Sequence, residues 1–272
     1  MALNLDKIRK KLLDSQSKGK KDFWKPKKGT TTNVRLVPLK DGDDDPFKLF
    51  AMHYNVGSAN GFLCPKRNYD EHCPVCELAS KLWEMGDADS RKMAKDFFAK
   101  DRYFSAILVR GEEDRGVKWY GYSKTVHEDF LKYALDSDYG EDVTDVKTGH
   151  DFKIEYVQPE GQQYPSTDVK CRPIATSICD TGLKDDNGKK IMLDNKKCTE
   201  MLEKIPTIES LLDRKTSAEV QTILDEAMDL GDKEGDAEGT STEKDHLPAK
   251  GSSGDAIDDA FNELLPAWPE EK

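Results

Sequence analysis

Four residues able to ligate a metal lie close together: His53, Cys64, Cys73 and Cys76, the last two in a Cys73-Pro74-Val75-Cys76 knuckle. Two thiolates spaced in this way hold one ion while the backbone N–H groups of the turn face the sulfurs. Zinc takes four nitrogen or sulfur ligands in a tetrahedron, at about 2.0–2.3 Å. Cys64 supplies the third and one place remains. His53, expected at the end of a strand beside the knuckle, fits it. His72 is the rival, but it neighbours Cys73 and would need a cramped chelate. Four protein ligands leave no position for water, so one structural Zn2+ is expected, fastening a loop-rich subdomain around residues 47–100.

Catalytic patterns fail one by one. A zinc deaminase needs His-x-Glu ahead of Pro-Cys-x-x-Cys, and His53 is followed by Tyr54-Asn55. There is no His-Glu-x-x-His, Gly-x-Gly-x-x-Gly or Gly-x-Ser-x-Gly. The stretch from Gly182 to Lys190 has the wrong spacing for a phosphate loop. The acidic turn Asp41–Pro46 lacks the positioned Gly and the distal Glu of a calcium loop. No enzyme is expected. Cys171, Cys179 and Cys198 have no ligand spacing and read as small core residues.

A second chemistry is legible in period two. In the expected strand Val117–Ser123, continued to Lys124, the residues Lys118, Tyr120, Tyr122 and Lys124 share one face. Two rings between two cations suit a single-strand binder, because every base has a π face and every linker is a phosphate. The preceding strand, Arg102–Arg110, adds Arg102, Tyr103, Phe104 and Arg110, with Lys100 just ahead of it. Tyr164 and Arg172 lie in or near a later hairpin. Phe104 and Trp119 also suit a core.

These residues need positioning elements. Thr30–Pro38 and Phe47–Tyr54 read as strands, as do Asp151–Val157 and Asp168–Ile178. Glu77–Met85, Ser90–Ala99, Thr125–Leu135, Thr199–Leu212 and Ser217–Met228 read as helices. Short strands with helices inserted between them suit a small β-barrel better than a parallel sheet. The ends differ from this middle. Residues 1–28 hold ten basic and three acidic side chains, and residues 229–272 hold thirteen acidic and four basic ones, within a net charge of −11. The start reads as a basic amphipathic helix, with Leu5, Ile8, Leu12 and Leu13 opposite Arg9, Lys10 and Lys11. The expected plan is a basic arm over 1–22, a core over 23–228 and an acidic, core-free tail over 229–272. No apolar run reaches the ~18 residues of a membrane span, and the N-terminus lacks a secretory h-region. A bacterial or host cytoplasm is the expected compartment, and no membrane partner is expected.

On His53, Cys64, Cys73-Pro74-Val75-Cys76, the run Arg102–Val109 and the arm–core–tail plan, the chain resembles the T-even-type bacteriophage single-stranded DNA-binding (helix-destabilising) proteins. The resemblance implies a β-dominated α+β fold: an OB-fold-like five-stranded barrel with an inserted zinc-binding subdomain, peripheral helices and a DNA cleft. It would put His53, Cys64, Cys73 and Cys76 on zinc. It would put Tyr103, Phe104, Tyr120 or Tyr122, and Tyr164 beside the bases. It implies cooperative coating of single-stranded DNA, with neighbouring protomers joined through the arm at Arg9, Lys10 and Lys11. It also implies an acidic tail that recruits replication, recombination and repair proteins. In this chain Leu12-Leu13 follow the basic triplet where the family has two hydroxyl residues.

Overall fold

The computed structural model describes residues 22–39, 45–158, 165–185 and 187–234. The arm residues Arg9, Lys10 and Lys11, most of the acidic tail, and Tyr164 lie outside the described residues. The chain divides into two compact units. One comprises the residues up to Lys48 together with Tyr103–Leu211. The other comprises Leu49–Arg102 and the described residues from Leu212 to Glu234.

The first unit is built on strands. In order they are β1 (Phe23–Trp24), β2 (Thr30–Leu36), the larger part of β5 (Lys100–Val109), β6 (Lys118–Tyr122), β7 (His150–Val157) and β8 (Ser166–Ala175). Three consecutive threonines open β2, where β-branched side chains favour extended backbone. Spatial order is β1-β6-β5-β2-β7-β8, with β1 parallel to β6 and the other pairs antiparallel. Register sets Val34 against both Val109 and Phe152, so apolar side chains of three strands meet. Val34, Leu36, Ile107, Val109, Phe152 and Ile154 form the core with Phe130 from α4 (Lys124–Ala134). The expected five-stranded barrel is not what the pairing gives. Among the described residues the path has two free ends, at β1 and β8, and no ladder joins them. A separate hairpin, β9 (Asp180–Lys184) with β10 (Lys190–Met192), and α5 (Asn195–Glu203) complete the unit. The expected helix Thr199–Leu212 is broken at Pro206, which has no N–H to continue it; a short 3-10 turn follows at Ile208–Ser210. Cys179 and Cys198 are not separate core residues: they form a disulfide with Cα atoms 5.8 Å apart, tying the start of the hairpin to α5. Cys171 is a free, buried thiol, as expected.

Gly149 marks the tightest approach in this unit. A Cβ there would lie 2.5 Å from Arg35 Nη2 and from the Val143 carbonyl oxygen, and 2.7 Å from that of Asp145. Two of those atoms are backbone and the third belongs to a fully buried arginine. Gly149→Ala is therefore expected to cost about 1–3 kcal/mol, the range for overpacking. The urea midpoint checks it, and an unchanged midpoint contradicts it.

The second unit holds the hairpin β3 (Lys48–Val56) and β4 (Ala59–Leu63), in which Met52 pairs with Leu63 and His53 with Phe62. Three helices follow: α1 (Pro65–Tyr69), α2 (Pro74–Met85) and α3 (Ala88–Phe97). The chain later returns as α6 (Ser217–Glu234), whose Val220 and Leu224, one turn apart, enter the same core as Val56, Phe62 and Val75. Gly57, with φ +56°, turns the hairpin where α6 leaves no room. A Cβ there would sit 2.9 Å from the Ile223 carbonyl oxygen. No described helix is long and apolar enough to cross a membrane.

Candidate metal centre and nucleic-acid interface

The second unit assembles the four metal-ligating residues from three elements. β3 brings His53, α1 begins at Cys64, and α2 begins at Cys73 with Cys76 in its first turn. Proline at the first helical position suits both helices, because its missing N–H would have no partner there. Both thiol-bearing N-caps sit where free N–H groups favour negative charge. The Cys64 Sγ accepts from the Arg67 backbone N–H at 3.4 Å.

All four residues are buried, and their ligand atoms lie within 4.8 Å of one another. His53 Nε2 is 3.3 Å from Cys73 Sγ and 3.5 Å from Cys76 Sγ, and Cys64 Sγ is 3.4 Å from Cys76 Sγ. A tetrahedral zinc with bonds of about 2.3 Å sets its sulfurs roughly 3.8 Å apart, so Cys64 and Cys76 need to open by only a few tenths of an ångström to reach that geometry. His53 Nδ1 lies 2.9 Å from the Phe97 carbonyl oxygen, which orients the ring and leaves Nε2 free to ligate. His72 is elsewhere: exposed, and paired with Glu77 at 3.0 Å. Asn68 braces the surrounding backbone, donating to the Ala51 carbonyl at 2.7 Å and the Cys64 carbonyl at 2.8 Å. The four groups set one another's protonation. Burial works to lower the His53 pKa, but hydrogen bonds with Cys64 and Cys73 outweigh it and raise the value to about 9. The Cys64 thiol is driven down by hydrogen bonds from Cys73 and Cys76, while Cys76 is driven up by its bonds with Cys64 and Cys73. A divalent cation resolves that conflict by taking all the lone pairs. The donor set, three thiolates and one imidazole, is that of a closed structural zinc site.

The residues expected to meet nucleic acid fare differently. Phe104, Tyr120, Tyr122 and Arg102 are at most 2% exposed and belong to the interior. Period two separates the two faces of β6 but does not show that the aromatic side chains of both are covered. Tyr120 and Tyr122 point into the core against Trp24 and Phe130, and the Tyr122 hydroxyl lies 2.6 Å from Ser105 Oγ. Trp119, on the other face, donates its indole N–H to the Pro206 carbonyl at 2.9 Å. Phe104 packs edge-on to Phe23. Arg110 is likewise a structural residue: its guanidinium pairs with Asp151 at 2.8 Å and donates to the carbonyls of Ser177, Ile178 and Asp180. Lys124 is not on the strand but is the first residue of α4, well exposed. Arg172 is exposed, Lys100 and Lys118 are half-buried, and Tyr103 is half-exposed. The reachable members are therefore Lys100, Tyr103, Lys118, Lys124 and Arg172.

One ring beside Tyr103 was not anticipated. His127, on α4, stacks on Tyr103 with centroids 3.9 Å apart and planes at 12°. No strand pattern signals it, because the partner comes from a helix start that only tertiary packing brings to β5.

Known proteins add one positive finding. No curated protein matches the chain. Residues 28–226 match the family model described as gp32 DNA binding protein like, a span that takes in both units and the whole His53–Cys76 cluster. Covering well over half of the chain, that match shows that the protein belongs to the gp32-like family of DNA-binding proteins.

Proposed function

We propose that the chain is a sequence-independent, non-catalytic single-stranded DNA-binding protein that coats exposed strands in bacteriophage replication, recombination and repair. The observation that carries this reading is the match of residues 28–226 to a DNA-binding family. Phosphate neutralisation by exposed cations and stacking on reachable rings supply affinity without sequence readout. Only an unpaired strand offers both, so binding shifts the duplex–single-strand equilibrium by mass action. The strand path β6-β5-β2-β7-β8 serves as the OB-like platform. His53, Cys64, Cys73 and Cys76 hold one structural Zn2+ that keeps the second unit in shape. The basic arm over 1–22 links neighbouring protomers, making coating cooperative. The acidic tail, whose first residues close α6, competes with DNA for the binding site and recruits replication and recombination proteins when DNA displaces it. The working compartment is the host bacterial cytoplasm.

Titration with short oligonucleotides, read by intrinsic tryptophan and tyrosine fluorescence, tests the central claim. Single strands of different sequence are expected to quench alike. The logarithm of affinity should fall linearly with log salt, by about 0.7 for each phosphate neutralised. The matched duplex should bind at least tenfold more weakly at the same ionic strength. Equal or tighter binding of the duplex would overturn the proposal.

A further inference from the structure

The first unit lost most of its expected stacking surface to the core, and what replaces it involves a residue outside the strands. Tyr103 is the one half-exposed ring left from the aromatic set on β5 and β6. His127 lies flat against it at 3.9 Å, itself half-exposed, and Phe47 holds the His127 ring edge-on at 5.2 Å. Two parallel rings braced by a third form a rigid plate, so little side-chain entropy remains to be lost when a flat ligand packs on them.

The polar features of the same turn fit a nucleotide. His127 Nδ1 is buried and has no hydrogen-bond partner. Ser123, the N-cap of α4 one turn earlier, is 4% exposed; its Oγ is also without a partner, and the helix carries no side-chain cap. The positive end of the helix is thus uncompensated there. Exposed Lys124 stands beside it, 3.7 Å from Glu128. The charged groups around the ring are Asp45, whose carboxylate accepts from the Phe47 backbone N–H at 2.8 Å, and Glu128 on the same helix. Burial lowers the His127 pKa against the pull of those two acids. A second half-exposed ring pair in this unit, Tyr133 with Tyr139, offers no such setting. It adjoins Asp136 and Asp138, which repel phosphate.

We propose that His127 is a base-stacking residue: with Tyr103 it presents a two-ring plate on which one nucleotide of single-stranded DNA packs, its phosphate toward Ser123 and Lys124 at the start of α4. This rests on the single-stranded DNA reading and names a contact within it.

The full-length protein, His127→Ala and His127→Phe are titrated with a short oligothymidine at pH 7.5. Loss of one stacked ring is expected to weaken His127→Ala by about fivefold or more, the lower end of the stacking range. His127→Phe keeps a ring and is expected to stay within twofold of wild type. Proton NMR of the imidazoles supplies a second readout, since the chain has only five histidines. The resonance missing from His127→Phe should move upfield in the wild type as oligothymidine is added. Alanine and wild type binding alike, or an unmoved resonance at saturation, overturns the inference while leaving single-stranded DNA binding intact. A wild type that does not bind oligothymidine at all overturns the underlying reading instead.

Discussion

Replacing Cys73 or Cys76 by serine is expected to abolish metal retention and to unfold most of the second unit, the largest effect of any single substitution in the chain. Wild type should carry one zinc per chain by native mass spectrometry. Cobalt substitution should give the visible bands of a tetrahedral thiolate site. The physical reason is the composition of the unit's core: of the nine buried residues of that cluster, three are the thiols Cys64, Cys73 and Cys76 themselves. Without an ion those thiols and His53 must share protons in a buried space, with one thiol forced down and another up. Metal binding in small zinc domains carries about 10–16 kcal/mol, nearly all of it folding energy. Here Val56, Phe62, Val75, Val220 and Leu224 supply apolar packing as well, so a loss on the order of 5 kcal/mol or more is expected. Lowering the pH should release the metal, because the ligands bind it deprotonated and protons compete. His72→Ala, at an exposed residue whose ring pairs with Glu77 and whose carbonyl, kept in the variant, accepts from the Ser217 hydroxyl, should change neither metal content nor melting. Hydrogen exchange after verified metal removal decides the matter. Undiminished protection across β3, β4 and α2 would refute a structural role.

This centre was legible because its chemistry is local. Ligand type and the Cys-x-x-Cys turn restrict what Cys64, Cys73 and Cys76 can do, and a strand end was the natural source of the fourth donor. The strands were legible for a similar reason, since β-branched runs such as Thr30–Thr32 favour extended backbone wherever they sit. The DNA-facing side chains were not, because alternation reports that a strand has two faces and does not report what covers each. The segment around Pro206 covers Trp119, and α4 covers the tyrosine face through Phe130. The aromatic side chains on both faces of β6 are therefore internal, and of the Lys-Tyr-Tyr-Lys row the two tyrosines are core while Lys118 and Lys124 keep exposure. The same long-range packing explains three further misses. α6 joins the metal unit from more than a hundred residues away. Cys179 and Cys198, nineteen residues apart, meet across a hairpin and a helix. His127 reaches Tyr103 only once α4 is seated.

Arg110 shows how the two readings of a cation separate in the tube. Asp151, 5% exposed, faces two buried guanidiniums: Arg110 at 2.8 Å and Arg35 at 3.7 Å. Arg35 is wholly buried, and desolvation lowers its pKa to about 10 even with Asp151 beside it. Its Nη2 donates to the Asp145 carbonyl at 2.5 Å and its Nη1 to Thr176 Oγ1 at 3.3 Å, but Nε has no partner. Asp151 is thus the carboxylate these two buried cations share, with Asp145 and Asp142 adding to the field at Arg35. Asp151→Ala removes the carboxylate that both share, and breaking a buried pair in this way costs about 3–5 kcal/mol. Arg110→Ala is expected to cost less than Asp151→Ala, because Asp151 retains Arg35. Urea unfolding measures both. An arginine whose task is to meet phosphate behaves in the opposite way. Its loss would leave the urea midpoint unchanged and reduce the salt dependence of single-strand binding by about 0.7 in slope. The structure predicts a shifted midpoint and, for whatever fraction stays folded, an unaltered slope. A stable Arg110→Ala protein with a shallower slope would return Arg110 to the DNA surface and show that its contacts with Asp151 and the Ser177–Asp180 carbonyls are not what holds this unit together.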